Sequence, residues 1–196
     1  MRTAPATRPG SPPVPAAWDG PAPGGVPVEW VRDYLCRPHP QLGRPGPVCP
    51  YVPAAVAARS LWTVVITRRP DHVDDLVATM GWYRDWFTAN TDPGDVRQAL
   101  LVVFPGLRPD RVGLIEQAQR RCKTAFVRAG LMIGEFHGGP PAAGGIRNPA
   151  FRPLRSPVPL LVVRRMVASD LPFLSTDPRH VAAYRAAFPG AADATP

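Results

Sequence analysis

Three arginines and a histidine share one proline- and glycine-rich stretch, His137-Gly-Gly-Pro-Pro-Ala-Ala-Gly-Gly-Ile-Arg147-Asn-Pro-Ala-Phe-Arg152-Pro-Leu-Arg155-Ser-Pro-Val-Pro159. Guanidinium forks at Arg147, Arg152 and Arg155 match carboxylate or phosphate oxygens two at a time, and they do so best from a loop that proline holds still. No carboxylate occurs between Glu135 and Asp170, whereas Arg147, Arg152, Arg155, Arg164 and Arg165 all fall there. The stretch reads as a receptor for an anion. The competing reading is that these arginines pair with acids elsewhere or solvate the loop. So long a loop within a domain is usually either functional or disordered. Ile146, Phe151, Leu154 and Val158 give it apolar anchors that a linker lacks.

His137 closes an apolar run, follows Glu135 at two-residue spacing and opens the arginine loop. It can serve as an axial metal or haem ligand, or as a strand-end histidine bonded to backbone. Cys36 and Cys49 bracket a stiff segment, Cys36-Arg-Pro-His39-Pro-Gln-Leu-Gly-Arg-Pro-Gly-Pro-Val-Cys49-Pro50. Either could be a thiolate ligand, and with His39 and His137 they could form a Cys2His2 zinc site, although the spacing differs from a standard zinc finger. Two packed apolar thiols are the alternative. Glu135 and His39 are, by position, the candidate proton carriers. Cys122 falls on an apolar helix face and reads as core.

Periodicity supplies the elements that must position these groups. Leu61–Thr67 and Ala99–Phe104 are β-branched, apolar runs and read as buried strands. Leu131–His137 and Leu160–Met166 are the third and fourth. Between them the spacing predicts helices over 71–90 and 109–129, with Val73, Leu76, Val77, Met80, Tyr83 and Phe87 on one face of the first. Val112, Ile115, Ala118, Cys122 and Phe126 form one face of the second, and Gly130 stops it. Trp82, Tyr83, Trp86 and Phe87 read as core, with one or two free to line a flat pocket. A short helix is expected over 28–35, and Asp177-Pro178 caps a last one carrying Val181, Tyr184 and Phe188.

The order is thus β-α-β-α-β-loop-β-α, an α/β or α+β fold in a single layered domain over 28–188. The first three strands should be parallel or near neighbours, and the fourth can return antiparallel after the loop. Both irregular segments should meet at one end of the sheet. Arg164 and Arg165 alternate across the fourth strand, so at most one can join the loop arginines. Residues 1–27 and 189–196 have too little apolar content to order themselves and read as disordered tails, with Trp18 the one large apolar residue of the first.

The formal charge is +8 from 23 basic and 15 acidic residues, yet Lys123 is the only lysine. An arginine bias of that kind reflects a GC-rich genome as much as function, and no lysine-rich basic helix points to nucleic acid. Three cysteines do not suit a disulfide-stapled secreted fold, and no apolar run is long enough to span a bilayer. A cytoplasmic protein with no nucleic-acid or membrane partner is expected. GxxxxGK[ST], GxGxxG, GxSxG, HExxH and CxxC are all missing from the chain, which disfavours most hydrolase and dehydrogenase families.

The segments CRPHPQLGRPGPVCP, GEFHGG and RNPAFRPLRSPVPLLVVRRMV…DLPFL together resemble a family of small actinobacterial proteins found in specialised-metabolite gene clusters. They also resemble haem-dependent enzymes of such clusters, of the N–N bond-forming kind met in the negamycin pathway. That resemblance implies a haem-dependent biosynthetic oxidoreductase acting on a small carboxylate-bearing substrate. An electron-donor protein or a second copy of the chain are the partners it suggests. In that reading His137, or Cys49 and then Cys36, ligates iron, and Arg147, Arg152 and Arg155 hold propionates or the substrate carboxylate. Zinc is the alternative metal, and capture of an anionic metabolite without catalysis is the alternative function.

Overall fold

A computed structural model describes residues 12–18, 29–139, 148 and 150–190. Five strands form one open sheet in the order β1-β2-β3-β5-β4. They are β1 (Ala16–Ala17), β2 (Leu61–Val65), β3 (Ala99–Val103), β4 (Leu131–Phe136) and β5 (Leu160–Arg165). β2 and β3 are parallel neighbours, in register from Leu61↔Ala99 to Val65↔Val103. β5 is antiparallel to both β3 and β4, so β4 runs in the direction of β3 with β5 slotted between them. The fold is α/β, and the fourth expected strand does return antiparallel.

Helices α2 (Val73–Asn90) and α3 (Gly113–Arg128) make the crossovers and cover one face. Alternation along each strand decides what they meet, because successive side chains point to opposite faces. Leu76, Met80, Tyr83 and Phe87 of α2 and Ile115, Ala118, Cys122 and Phe126 of α3 pack on Val64, Leu100, Val102, Ile133, Leu161 and Val163. Burying aliphatic and aromatic side chains of this size contributes about 1.5–3 kcal/mol each. Trp82 and Trp86 are half-buried at the margin of this core, Trp86 edge-on to Trp62 at 5.5 Å.

On the opposite face, Leu61, Leu101, Val103 and Leu160 pack against Trp18, Val31 and Ala55. This layer is built from a single wide turn at Trp30–Leu35 and the short helix α1 (Val52–Ala57). The wide turn is the short helix expected at 28–35, wound wider than an α-helix: Cys36 N–H donates to the Val31 carbonyl at 3.0 Å, a five-residue span. Helices α4 (Leu171–Leu174) and α5 (Pro178–Ala187) bury Leu174 and Tyr184 against Val127, Met132 and Met166.

The N-terminal tail expected to lack structure departs from that expectation at residues 12–18. Ala16 and Ala17 pair with Thr63 and Trp62, and Trp18 N–H donates to the Leu61 carbonyl at 2.8 Å. Tyr83 Oη donates to the Pro13 carbonyl at 2.9 Å. The burial of Trp18, only 6% exposed, offsets the chain entropy lost by this short piece.

Candidate functional site

His137 lies at the carboxyl end of β4, and alternation sends its side chain to the helix face with Leu131, Ile133 and Glu135. There it is 1% exposed. Nδ1 accepts the Gly139 N–H at 3.2 Å, so Nε2 carries the proton and donates to Glu116 Oε1 at 3.1 Å. Glu116 sits in the first turn of α3, with Arg120 within 3.6 Å of its other oxygen. Glu135 lies near enough to Glu116 for the two carboxylates to interact. Burial pushes its carboxyl above the usual carboxylate range and the neighbouring Glu116 carboxylate adds to that, against the pull of its own backbone, Lys123 and Arg120. The pairing with Glu116 had no signal in the sequence, because twenty-one residues and a helix register separate the partners.

His39 lies on the other side of the sheet. Its ring caps the turn Pro40–Leu42, where Nδ1 accepts the Gln41 N–H at 3.2 Å. It stacks on Phe151 with centroids 4.6 Å apart and meets Tyr34 edge-on at 6.1 Å. Leu35, Leu42, Val48 and Phe151 form a small cluster there, with Cys49 and Phe136 packed against it. Because Phe136 and His137 are adjacent on a strand, the sheet itself divides Cys36, His39 and Cys49 from the His137 imidazole. Among the described residues, no three His, Cys, Asp or Glu side chains are grouped to hold a metal ion.

The two irregular segments do meet. Asn148 Nδ2 donates to the Gln41 carbonyl at 2.9 Å, and Phe151 sits in the cluster just described. Tyr34 Oη donates to the carbonyls of Arg152 and Pro153 at 3.2 Å. Burial raises the Tyr34 phenol above its ordinary range, and the Arg155 guanidinium opposes that rise. Arg155 pairs with His137 through an isolated bridge, and Ser156 N–H donates to the His137 carbonyl at 3.0 Å. On its other side, Trp30 Nε1 donates to the Arg155 carbonyl at 2.9 Å. The arginine's backbone is pinned from both sides, while its guanidinium is exposed and makes no hydrogen bond or ion pair with a described residue. Arg152 Nη1 donates to the Phe151 carbonyl at 3.2 Å. Arg147 lies outside the described residues.

Arg164 and Arg165 are committed elsewhere. Arg164 forks onto both Asp170 oxygens, at 2.8 and 2.6 Å, beneath the Tyr51 ring. Arg165 Nη2 donates to the Thr91 carbonyl and hydroxyl at the end of α2 and lies over the Phe87 ring. Neither joins the loop arginines. A cavity of about 380 Å³ lies between the loops after β2 and β3, lined by Arg69, Pro70, Asp71, Leu107, Arg108, Asp110 and Arg111. Sequence reasoning did not single it out, since each of its loops looks like an ordinary helix entry.

The donor set fits a haem poorly. An axial histidine needs a free ring nitrogen, and both nitrogens of His137 are already bonded inside the fold. Cys36 and Cys49 occupy the far side of the sheet from it. What the arrangement offers is an exposed arginine, Arg155, whose carbonyl is held by Trp30 beside Tyr34, and a separate carboxylate–imidazole pair behind the sheet.

A family model described as a domain of unknown function (DUF6875) matches residues 26–195. No curated protein and no solved structure matches the chain.

Proposed function

This chain belongs to the family described as a domain of unknown function, DUF6875, and we propose that it binds a small carboxylate-bearing molecule at Arg155. The observation that carries this reading is the pinned backbone and unpaired guanidinium of Arg155. With its main chain already held, only the side chain's own rotamer freedom remains to be lost when an anion arrives, and the fork of the guanidinium suits bidentate capture. Trp30, stacked near Tyr34 at 6.5 Å and braced edge-on by Phe136 at 5.6 Å, supplies apolar surface for the ligand's carbon part. Arg152 belongs to the same loop and adds positive potential.

The test is calorimetric titration of the whole protein with short mono- and dicarboxylates, with inorganic phosphate as the competing anion. One carboxylate should bind, and Arg155→Ala should weaken it about 10- to 100-fold, the worth of a charge-assisted hydrogen bond. Binding of phosphate alone, or binding untouched by Arg155→Ala, would sink the reading.

Redox or proton chemistry on the helix side of the sheet, away from Arg155, is the second reading, favoured by the raised proton affinity of Glu135 near Glu116, which pairs with His137. Its haem-dependent form, as in biosynthetic enzymes of specialised metabolism, needs His137 to give up Glu116 or Gly139. Titration with haemin separates the two: a Soret band lost in His137→Ala supports haem, and an unbound haemin spectrum counts against it.

A further inference from the structure

Of the three cysteines, Cys122 is buried under α3, while Cys36 and Cys49 are half-buried and stand at the two ends of the proline-rich segment. That segment folds back on itself. Pro38 and Pro47 form an antiparallel bridge, Val48 N–H donates to the Arg37 carbonyl at 2.9 Å, and Cys49 N–H donates to the Leu35 carbonyl at 3.0 Å. The peptide plane that carries the Leu35 carbonyl also carries the Cys36 α-carbon. One hydrogen bond therefore separates the two cysteines, and standard backbone dimensions hold their α-carbons within about 7 Å, against the range of about 4.4–6.8 Å that disulfides use.

We propose that Cys36 and Cys49 form a reversible intramolecular disulfide that staples the neck of the 36–49 segment. The two sulfurs already feel each other: the Cys36 thiol is pushed up first by burial and then by Cys49, against the opposing charges of Arg32 and Arg37. The oxidant is a small-molecule disulfide. One cysteine thiolate attacks it, forming a mixed disulfide and releasing one thiol. The second cysteine, as thiolate, then attacks the protein sulfur of that mixed disulfide and expels the other small thiol. Two protein thiols are oxidised to one disulfide, and one small disulfide is reduced to two thiols.

The staple acts on the wall that holds the returning arginine arm, since Leu42, Val48 and His39 all contact Phe151 from within the closed segment. Oxidation would hold that wall rigid, and reduction would free its neck.

The full chain is incubated with oxidised glutathione, and thiols are counted before and after. Thiols counted in denaturant should fall from three to one, with a mass loss of two hydrogens, a cross-linked peptide pairing Cys36 with Cys49, and full reversal by dithiothreitol. In Cys36→Ser the reaction should stop at a glutathione adduct on Cys49. Stable glutathione adducts on both cysteines of the wild type, a cross-link through Cys122 or between chains, or no thiol loss would each overturn the proposal.

Discussion

His137 donates from Nε2 to Glu116 Oε1 across 3.1 Å while its Nδ1 accepts from Gly139, so one buried ring ties the end of β4 to the first turn of α3 and to the start of the arginine loop. Removing the acceptor leaves a buried N–H without a partner. Glu116→Ala should therefore lower stability by about 1–3 kcal/mol in urea unfolding, and Glu116→Gln, which keeps an acceptor oxygen, by clearly less.

Glu135 gives stability a pH dependence of definite sign. Its folded-state carboxyl titrates above the ordinary carboxylate range, so the folded chain holds a proton that the unfolded chain has already released. Between those two values stability falls as pH rises, and the penalty is complete above the folded-state value. Urea midpoints measured upward from the ordinary carboxylate range to pH 8 should decline through this window in the wild type. In Glu135→Gln that part of the decline should vanish.

Asp170 is 1% exposed and accepts from Arg164 twice and from the Val167 N–H at 2.8 Å. Asp170→Ala strands a largely buried guanidinium and should cost about 3–5 kcal/mol. Thermal unfolding would show it as the most damaging of the substitutions named here.

Arg59 ends α1 in the left-handed region, with φ at 53°. Its N–H donates to the Val56 carbonyl at 3.1 Å and Ser60 N–H to the Ala55 carbonyl at 3.0 Å, the paired bonds of a left-handed helix stop where glycine is the usual residue. Arg59→Gly removes the side-chain clash of that conformation and should stabilise the chain by about 0.5–1 kcal/mol in chemical denaturation.

The central elements were legible because each announces itself locally. Leu61–Val65 and Ala99–Val103 are β-branched runs, and α2 and α3 show their apolar faces at helical spacing. What escaped depends on distant partners. The strand at Ala16–Ala17 has no strand pattern of its own and exists because Trp18 finds a pocket. At the site, the meeting of the arginine arm with the 36–49 segment followed from loop composition. The division of His137 from the cysteines did not, although the alternation of Phe136 and His137 contains it. Ligand guesses built on residue type alone joined side chains that a sheet keeps apart.

The insertion of β5 between β3 and β4 sets the order in which the sheet can be completed. As the chain leaves the ribosome, Leu131–Phe136 emerges with its bonding neighbour among the described residues, Leu160–Arg165, still unsynthesised. Until the arginine loop has closed, one edge of β3 and the edge of β4 that pairs with β5 lack their strand partner, and those strands are among the most apolar of the chain. Closing that loop is a non-local step whose entropy must be met before any β5 pairing rewards it. The segment that carries Arg155 is thus also the hinge of assembly, and a change in its length would register first in refolding rate and in aggregation during synthesis.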